Sequence, residues 1–123
     1  FCNNQKLKKF YSNQSLKELF FSTSGMTAYQ DSPKNKKYKS LAKKTQYITF
    51  GGDCVQYGLL AEKRIPFVVE SFLKPFDYLP LVNVIEETGG IITDWQGKSL
   101  NFQSDGDVVA SISAKAHKQF LKL

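Results

Sequence analysis

Three carboxylates sit where an extended apolar run gives way to a helix-like one: Asp53 after Gly51-Gly52, Glu70 after Phe67-Val68-Val69, and Asp77 after Lys74-Pro75-Phe76. Such junctions are where chemistry concentrates in open α/β sheets, because ligands enter at the carboxyl ends of the strands. The two glycines before Asp53 allow a ligand to approach the backbone closely, and the free N–H groups of a starting helix favour an oxygen-rich partner. Each position also has a plainer use. Asp53 can cap the helix that follows it. Glu70 taken alone is an ordinary surface residue. Asp77, at the start of a helix whose dipole favours an anion, is as a lone aspartate more often a cap than a metal ligand.

The elements that must position these groups can be traced along the chain. Residues 16–21 read as a short helix running into a strand, closed by Ser22-Thr23-Ser24-Gly25. Pro33 stands where a helix can begin, and Lys36 to Lys44, with Tyr38 and Leu41, makes an amphipathic helix. The β-branched and aromatic run 45–50 predicts a strand, 54–62 a helix and 67–70 a short strand. After Pro75, taken as a breaker, 78–88 predicts a helix ended by Gly89-Gly90. Strand 91–94, a turn at Gln96-Gly97, strand 108–112 and helix 114–122 complete the order. Helices alternating with short apolar strands predict an α/β domain with a mixed, partly parallel sheet sandwiched by helices.

Composition excludes several classes. The 123 residues suit one domain, and 17 aromatic residues among 41% hydrophobic ones supply a core, which excludes wholesale disorder. No apolar stretch approaches the roughly 20 residues of a membrane span. Cys2, Cys54 and the single His117 form no zinc-type spacing, so free thiols and a reduced, cytoplasmic setting are expected. The net charge of +6 is unevenly held: residues 1–44 carry ten lysines against Glu18 and Asp31, while the remainder is slightly acidic. With one arginine, Arg64, and no interleaved aromatics, clusters such as Lys34-Asn35-Lys36-Lys37 read as a solvated lysine face and not as a nucleic-acid surface. Residue 1 is Phe, with no signal-like segment before the first helix, which suggests processing or a piece of a longer protein.

Taken together, GGDC…GLLA…VVE…LKPFD…EETGG…TDWQG over residues 51–97 resembles the C-terminal half of the inositol monophosphatase family, and within it the histidinol-phosphate phosphatases. Phe76-Asp77 matches that family's Trp-Asp with a changed aromatic, and Glu87-Thr88-Gly89-Gly90 its Glu-Ala-Gly-Gly with Thr for Ala. Asp94 and Gly97 match the following Asp-x-x-Gly turn, and Phe21 to Met26 resembles the Thr-Thr-Ser-Pro segment before the long helix. The likeness covers about residues 15–123.

This resemblance implies a Mg²⁺-dependent phosphomonoester hydrolase, with Asp77 a metal ligand and Gly51, Gly52, Asp53 and Glu70 contacting substrate. It also implies an absence: the glutamate and the Asp-Pro-Ile-Asp-Gly-Thr motif that bind most of the metal are not found here. Mg²⁺ demands near-octahedral oxygen coordination, which one aspartate cannot provide. The expectation is a single C-terminal α/β domain over 1–123, lacking the metal-binding half, inactive alone and homodimeric when complete. Two carboxylates facing the organic part of the substrate favour an amino-alcohol phosphate such as histidinol phosphate over neutral inositol phosphate. An inositol monophosphatase, or an enzyme for another small phosphate, is the alternative within the enzymes. A non-catalytic binding domain using its lysine-rich first third is the alternative outside them.

Overall fold

The computed structural model describes residues 2–25, 29–30 and 32–123. The chain runs through a single 3-10 turn (Leu16–Glu18), β1 (Phe21–Thr23), α1 (Asn35–Lys44), β2 (Ile48–Phe50), α2 (Val55–Ala61), β3 (Phe67–Glu70), α3 (Pro75–Glu87), β4 (Ile91–Thr93), β5 (Val108–Ser111) and α4 (Ala114–Leu121). The strands form one five-stranded sheet in the order β2-β1-β3-β5-β4. β1 pairs parallel with both β2 and β3, while β5 pairs antiparallel with β3 and β4. The expected mixed α/β architecture is the observed one. Among the described residues no helix is long and apolar enough to cross a membrane.

Strand chirality explains the two helical layers. The chain steps from β1 to β2 on one side and then back past β1 to β3 on the other. Right-handed crossovers in opposite directions put α1 and α2 on opposite faces. One face buries Phe21, Phe67, Val69 and Val109 against Tyr38 and Leu41 of α1 and Phe120 of α4. The other buries Val68, Val108 and Ala110 against Tyr57 and Leu60 of α2 and Tyr78 and Ile85 of α3. Alternate residues of β3 and β5 serve opposite faces, the period of two that a pleated strand imposes. All four residues of β3 are buried, as expected of a strand covered on both sides.

Three expectations need correction. The segment 16–21 is helical only over Leu16–Glu18, and Ser22 and Thr23 are strand residues, not a closing loop. Glu18 closes a capping box at the start of that turn, its Oε2 accepting from the Ser15 N–H at 2.8 Å and from the Ser15 hydroxyl at 2.5 Å, and the turn ends where Leu19 takes extended backbone at φ −118° and ψ 155°. The second strand opens at Ile48, since Thr45 still belongs to the end of α1, donating from N–H and Oγ1 to the Leu41 carbonyl. Pro75 begins α3 instead of breaking the chain ahead of it, the first-turn position where a missing N–H costs nothing.

Nor are all the lysines of the first third solvated. Lys34 is ion-paired with buried Asp107 and stands over the Phe72 ring at 4.4 Å. Lys37 donates to the Trp95 and Leu121 carbonyls at 3.2 and 3.4 Å. Both cysteines are free thiols.

Candidate active site

Because β1, β2 and β3 are parallel, their C-terminal ends, Thr23, Phe50 and Glu70, share one edge of the sheet. The segments leaving that edge enclose a cleft of about 550 Å³ whose walls include Ser24, Asp53, Tyr57, Glu70, Ser71 and Asp77. The structure thus brings together the three carboxylates singled out by their spacing. Among the described residues that line the cleft, none is Lys, Arg or His. In a protein of net charge +6 this edge is acidic.

Glu70 is the fixed group. It is 4% exposed, and its Oε1 accepts from the Ser24 N–H at 2.5 Å and from Gln56 Nε2 at 2.7 Å. Burial raises its pKa above the ordinary carboxylate value, and the Gln56 and Ser24 hydrogen bonds pull in the opposite direction. Gln56 also donates to Ser24 Oγ at 3.2 Å, so the β1 exit, α2 and β3 are joined through one carboxylate. Beside it, the buried Ser71 hydroxyl donates to Asp107, which Lys34 neutralises, and Lys34 lies 3.0 Å from Ser71 Oγ.

Asp53 is the free group. It is exposed, takes a left-handed φ of 39°, and its carboxylate makes no hydrogen bond among the described residues. The plain capping role therefore has no geometric support: α2 is preceded by Cys54, without a side-chain cap. Gly51 and Gly52 do not line the cleft. They are exposed, and their φ values of 84° and 102° form the left-handed turn that carries Asp53 to its rim. Asp77 caps its helix with one oxygen and keeps the other free. One oxygen, Oδ2, accepts from the Lys74 N–H at 2.8 Å and so caps α3, while Oδ1 has no hydrogen-bond partner among the described residues.

Two tyrosines complete the walls. Tyr29 donates to the Val69 carbonyl at 3.2 Å. The Tyr57 hydroxyl is buried without a partner among the described residues, and burial pushes its pKa far up, so it remains a neutral phenol.

Sequence reasoning passed over Gln56, Tyr57, Ser24 and the Lys34–Asp107–Ser71 cluster. Gln56 left a readable signal: it shares the buried face of α2 with Tyr57, Leu60 and Ala61, and a lone amide at core spacing demands a polar partner. The Lys34 cluster left none, since its members lie on segments far apart in the chain. Met26 lies outside the described residues.

As a metal site the cleft is partial. Asp77 offers one hard oxygen, Glu70 is already committed to two donors, and the described residues hold no group of three or more metal-binding side chains. This donor set suits one corner of a Mg²⁺ shell and leaves the other positions to be filled from elsewhere.

Comparison with known proteins gives the same outline. The family model described as "Inositol monophosphatase family" matches residues 1–123. Among curated relatives, the bifunctional phosphatase IMPL2, chloroplastic, of Arabidopsis thaliana is 43% identical over 76 residues, covering 62% of this chain and 22% of that protein. The histidinol-phosphatase of Chlorobaculum parvum is 27% identical over 81 residues, covering 66% of this chain and 31% of that one. An inositol monophosphatase from Zymomonas mobilis superposes with a TM-score of 0.88 at 29% identity, over 97% of this chain and 47% of that structure. One from Thermotoga maritima gives 0.80 at 24%, over 99% and 46%, a likeness of fold alone. The chain spans about half the length of the solved proteins it matches.

Proposed function

We propose, since this chain belongs to the inositol monophosphatase family, that it forms the substrate-facing half of a phosphomonoester-hydrolysing site, and that the alcohol it receives is an amino alcohol, as in histidinol phosphate. The observation that carries this reading is the acidic cleft itself: Asp53, Glu70 and Asp77 line one cavity among whose described residues there is no basic side chain. Asp53 has at the rim a carboxylate without a partner among the described residues, where the ammonium group of such a substrate gains most from it. A neutral polyol would gain only hydrogen bonds. Likeness to the histidinol-phosphatase of Chlorobaculum parvum supports the same class.

In this reading Glu70, held by Ser24 and Gln56, orients the organic part of the substrate. Asp77 lends an oxygen to Mg²⁺, which when bound supplies electrostatic stabilisation and an activated water for phosphoryl chemistry. The other carboxylates that reaction needs belong to a second half, so the fragment alone should turn over negligible phosphate. The test joins this chain to an N-terminal half from the family and compares histidinol phosphate with inositol phosphate. Asp53→Asn should lower kcat/KM for histidinol phosphate by about tenfold or more and leave inositol phosphate nearly unchanged, the effect of removing one charge–charge contact. Equal losses on both substrates would overturn the amino-alcohol assignment.

A further inference from the structure

The end of the sheet opposite the acidic cleft holds a second cavity. The turn Leu16–Glu18 lies just before β1, and α1 ends just before β2, so both stand at the N-terminal ends of the parallel strands. Together with one side of α4 they border a cleft of about 620 Å³ walled by Lys17, Lys43, Lys44, Lys115 and Lys122. Three of its residues, Lys115, Gln119 and Lys122, follow the i, i+4, i+7 spacing that makes one stripe on α4, while Ala116, His117 and Phe120 face the core. Its floor is apolar, with Leu16 only 2% exposed.

We infer that this cleft binds a compact polyanion, a small molecule bearing several adjacent phosphate groups. Five ammonium groups gathered from three separate segments repel one another and raise the free energy of the fold unless a counter-charge arrives. None of the five makes a hydrogen bond or ion pair among the described residues, in contrast to Lys34 and Lys37, which the fold uses internally. Glu18 stands near Lys17 and Lys115, but its carboxylate is occupied by Ser15. Setting Glu18 against the lysines still leaves the cleft positive. Gln119 adds a donor: its Oε1 accepts from the Leu16 N–H at 2.8 Å, which leaves its Nε2 hydrogens for a ligand.

The size and lining set the class. A cavity of this volume falls in the roughly 300–1,000 Å³ range of small-molecule sites. Among the described residues no aromatic side chain lines it, so stacked bases of a single strand find no platform there. The inference is independent of the phosphatase reading, which concerns the other end of the sheet.

The test uses the chain as it is, without Mg²⁺, titrated with inorganic tripolyphosphate at low salt by calorimetry and amide NMR. Saturable one-to-one binding is expected, with shifts centred on residues 16–17, 43–44 and 115–122. The double variant Lys43→Ala/Lys115→Ala, both exposed positions, should raise Kd at least tenfold with an unchanged circular dichroism spectrum. Lys36→Ala/Lys39→Ala, which removes the same net charge from exposed positions elsewhere on α1, should leave Kd within a factor of about two. Equal losses in the two variants would show a general charge effect and overturn the site. So would orthophosphate binding as tightly as tripolyphosphate, tighter binding of duplex DNA, or no binding at all.

Discussion

The two ends of the sheet carry opposite charges by opposite means. At the C-terminal ends of the parallel strands, one carboxylate is buried and doubly hydrogen-bonded and two more line the same cavity, each set by the short segment leaving a strand. At the N-terminal ends, five lysines reach a cavity from three distant segments on long, flexible stems. A fixed carboxylate costs desolvation and gains geometric precision, whereas a solvated ammonium costs little and recognises charge more than shape. The proposed selective chemistry therefore suits the first end, and the proposed charge-driven binding the second.

The largest expected effect is a way to break the acidic end alone. Gly106, with φ of 86°, has room for no side chain: a Cβ there would lie 2.2 Å from the Leu73 carbonyl oxygen and 2.8 Å from its nitrogen. Leu73 in turn donates to the Gly106 carbonyl at 3.0 Å and lies on the segment leading to Asp77. Gly106→Ala must displace backbone, not a flexible side chain, and should destabilise by about 3 kcal/mol or more in urea unfolding. A loss below about 1 kcal/mol would show that the loop yields freely and that Asp77 is not rigidly placed.

A smaller effect marks the other layer. On α4, His117 faces inward from the lysine stripe. Thr93 Oγ1 donates to the Asp94 carbonyl at 2.7 Å and so accepts from His117 Nε2 at 2.9 Å, leaving Nδ1 buried without a partner among the described residues. Burial lowers the His117 pKa to about 4. The folded state therefore binds fewer protons than the unfolded one between that value and the ordinary histidine pKa of about 6.5. Stability is full above that window and falls as pH drops through it, by roughly 3 kcal/mol at its lower edge. His117→Gln should flatten this part of the curve. An unchanged pH profile in His117→Gln would mean that other groups govern acid unfolding.

What was legible in the sequence follows the same division. Asp53, Glu70 and Asp77 could be read because each stands at or near a junction of strand and helix: Asp53 three residues after β2, Glu70 at the end of β3 and Asp77 in the first turn of α3. Gly51 and Gly52, expected to contact substrate, form a left-handed turn ahead of Asp53 and are absent from the cleft wall, because a residue without a side chain reaches the cleft only through its backbone. The boundaries that moved did so through local backbone geometry that composition does not reveal, as where Leu19 turns extended after Glu18 or Pro75 opens α3. The Lys34–Asp107 pair and the lysine cleft were illegible because their members meet only through tertiary packing. A solvated face was the natural reading of Lys34 to Lys37 until the structure showed two of those lysines tied down.

The smallest expected effect sharpens the comparison most, because it asks whether the buried carboxylate serves the fold at all. Both donors to Glu70, the Ser24 N–H and Gln56 Nε2, meet the same oxygen, Oε1. An amide oxygen at that place can accept both, so Glu70→Gln keeps the hydrogen bonds and removes only the charge. Burial raises the Glu70 pKa in the folded state, so the ionised form costs stability at neutral pH, and that cost is relieved as pH falls through the folded pKa. Glu70→Gln should then be more stable at neutral pH, seen as a higher Tm, with the difference shrinking in acid. The same variant in a completed enzyme should lose affinity for a cationic substrate. A gain in stability paired with a loss of binding identifies a group retained for function at the expense of the fold. If Glu70→Gln instead lowers Tm, the carboxylate is a structural bolt between β1, α2 and β3, and Asp53 alone would have to account for the selectivity of the acidic end.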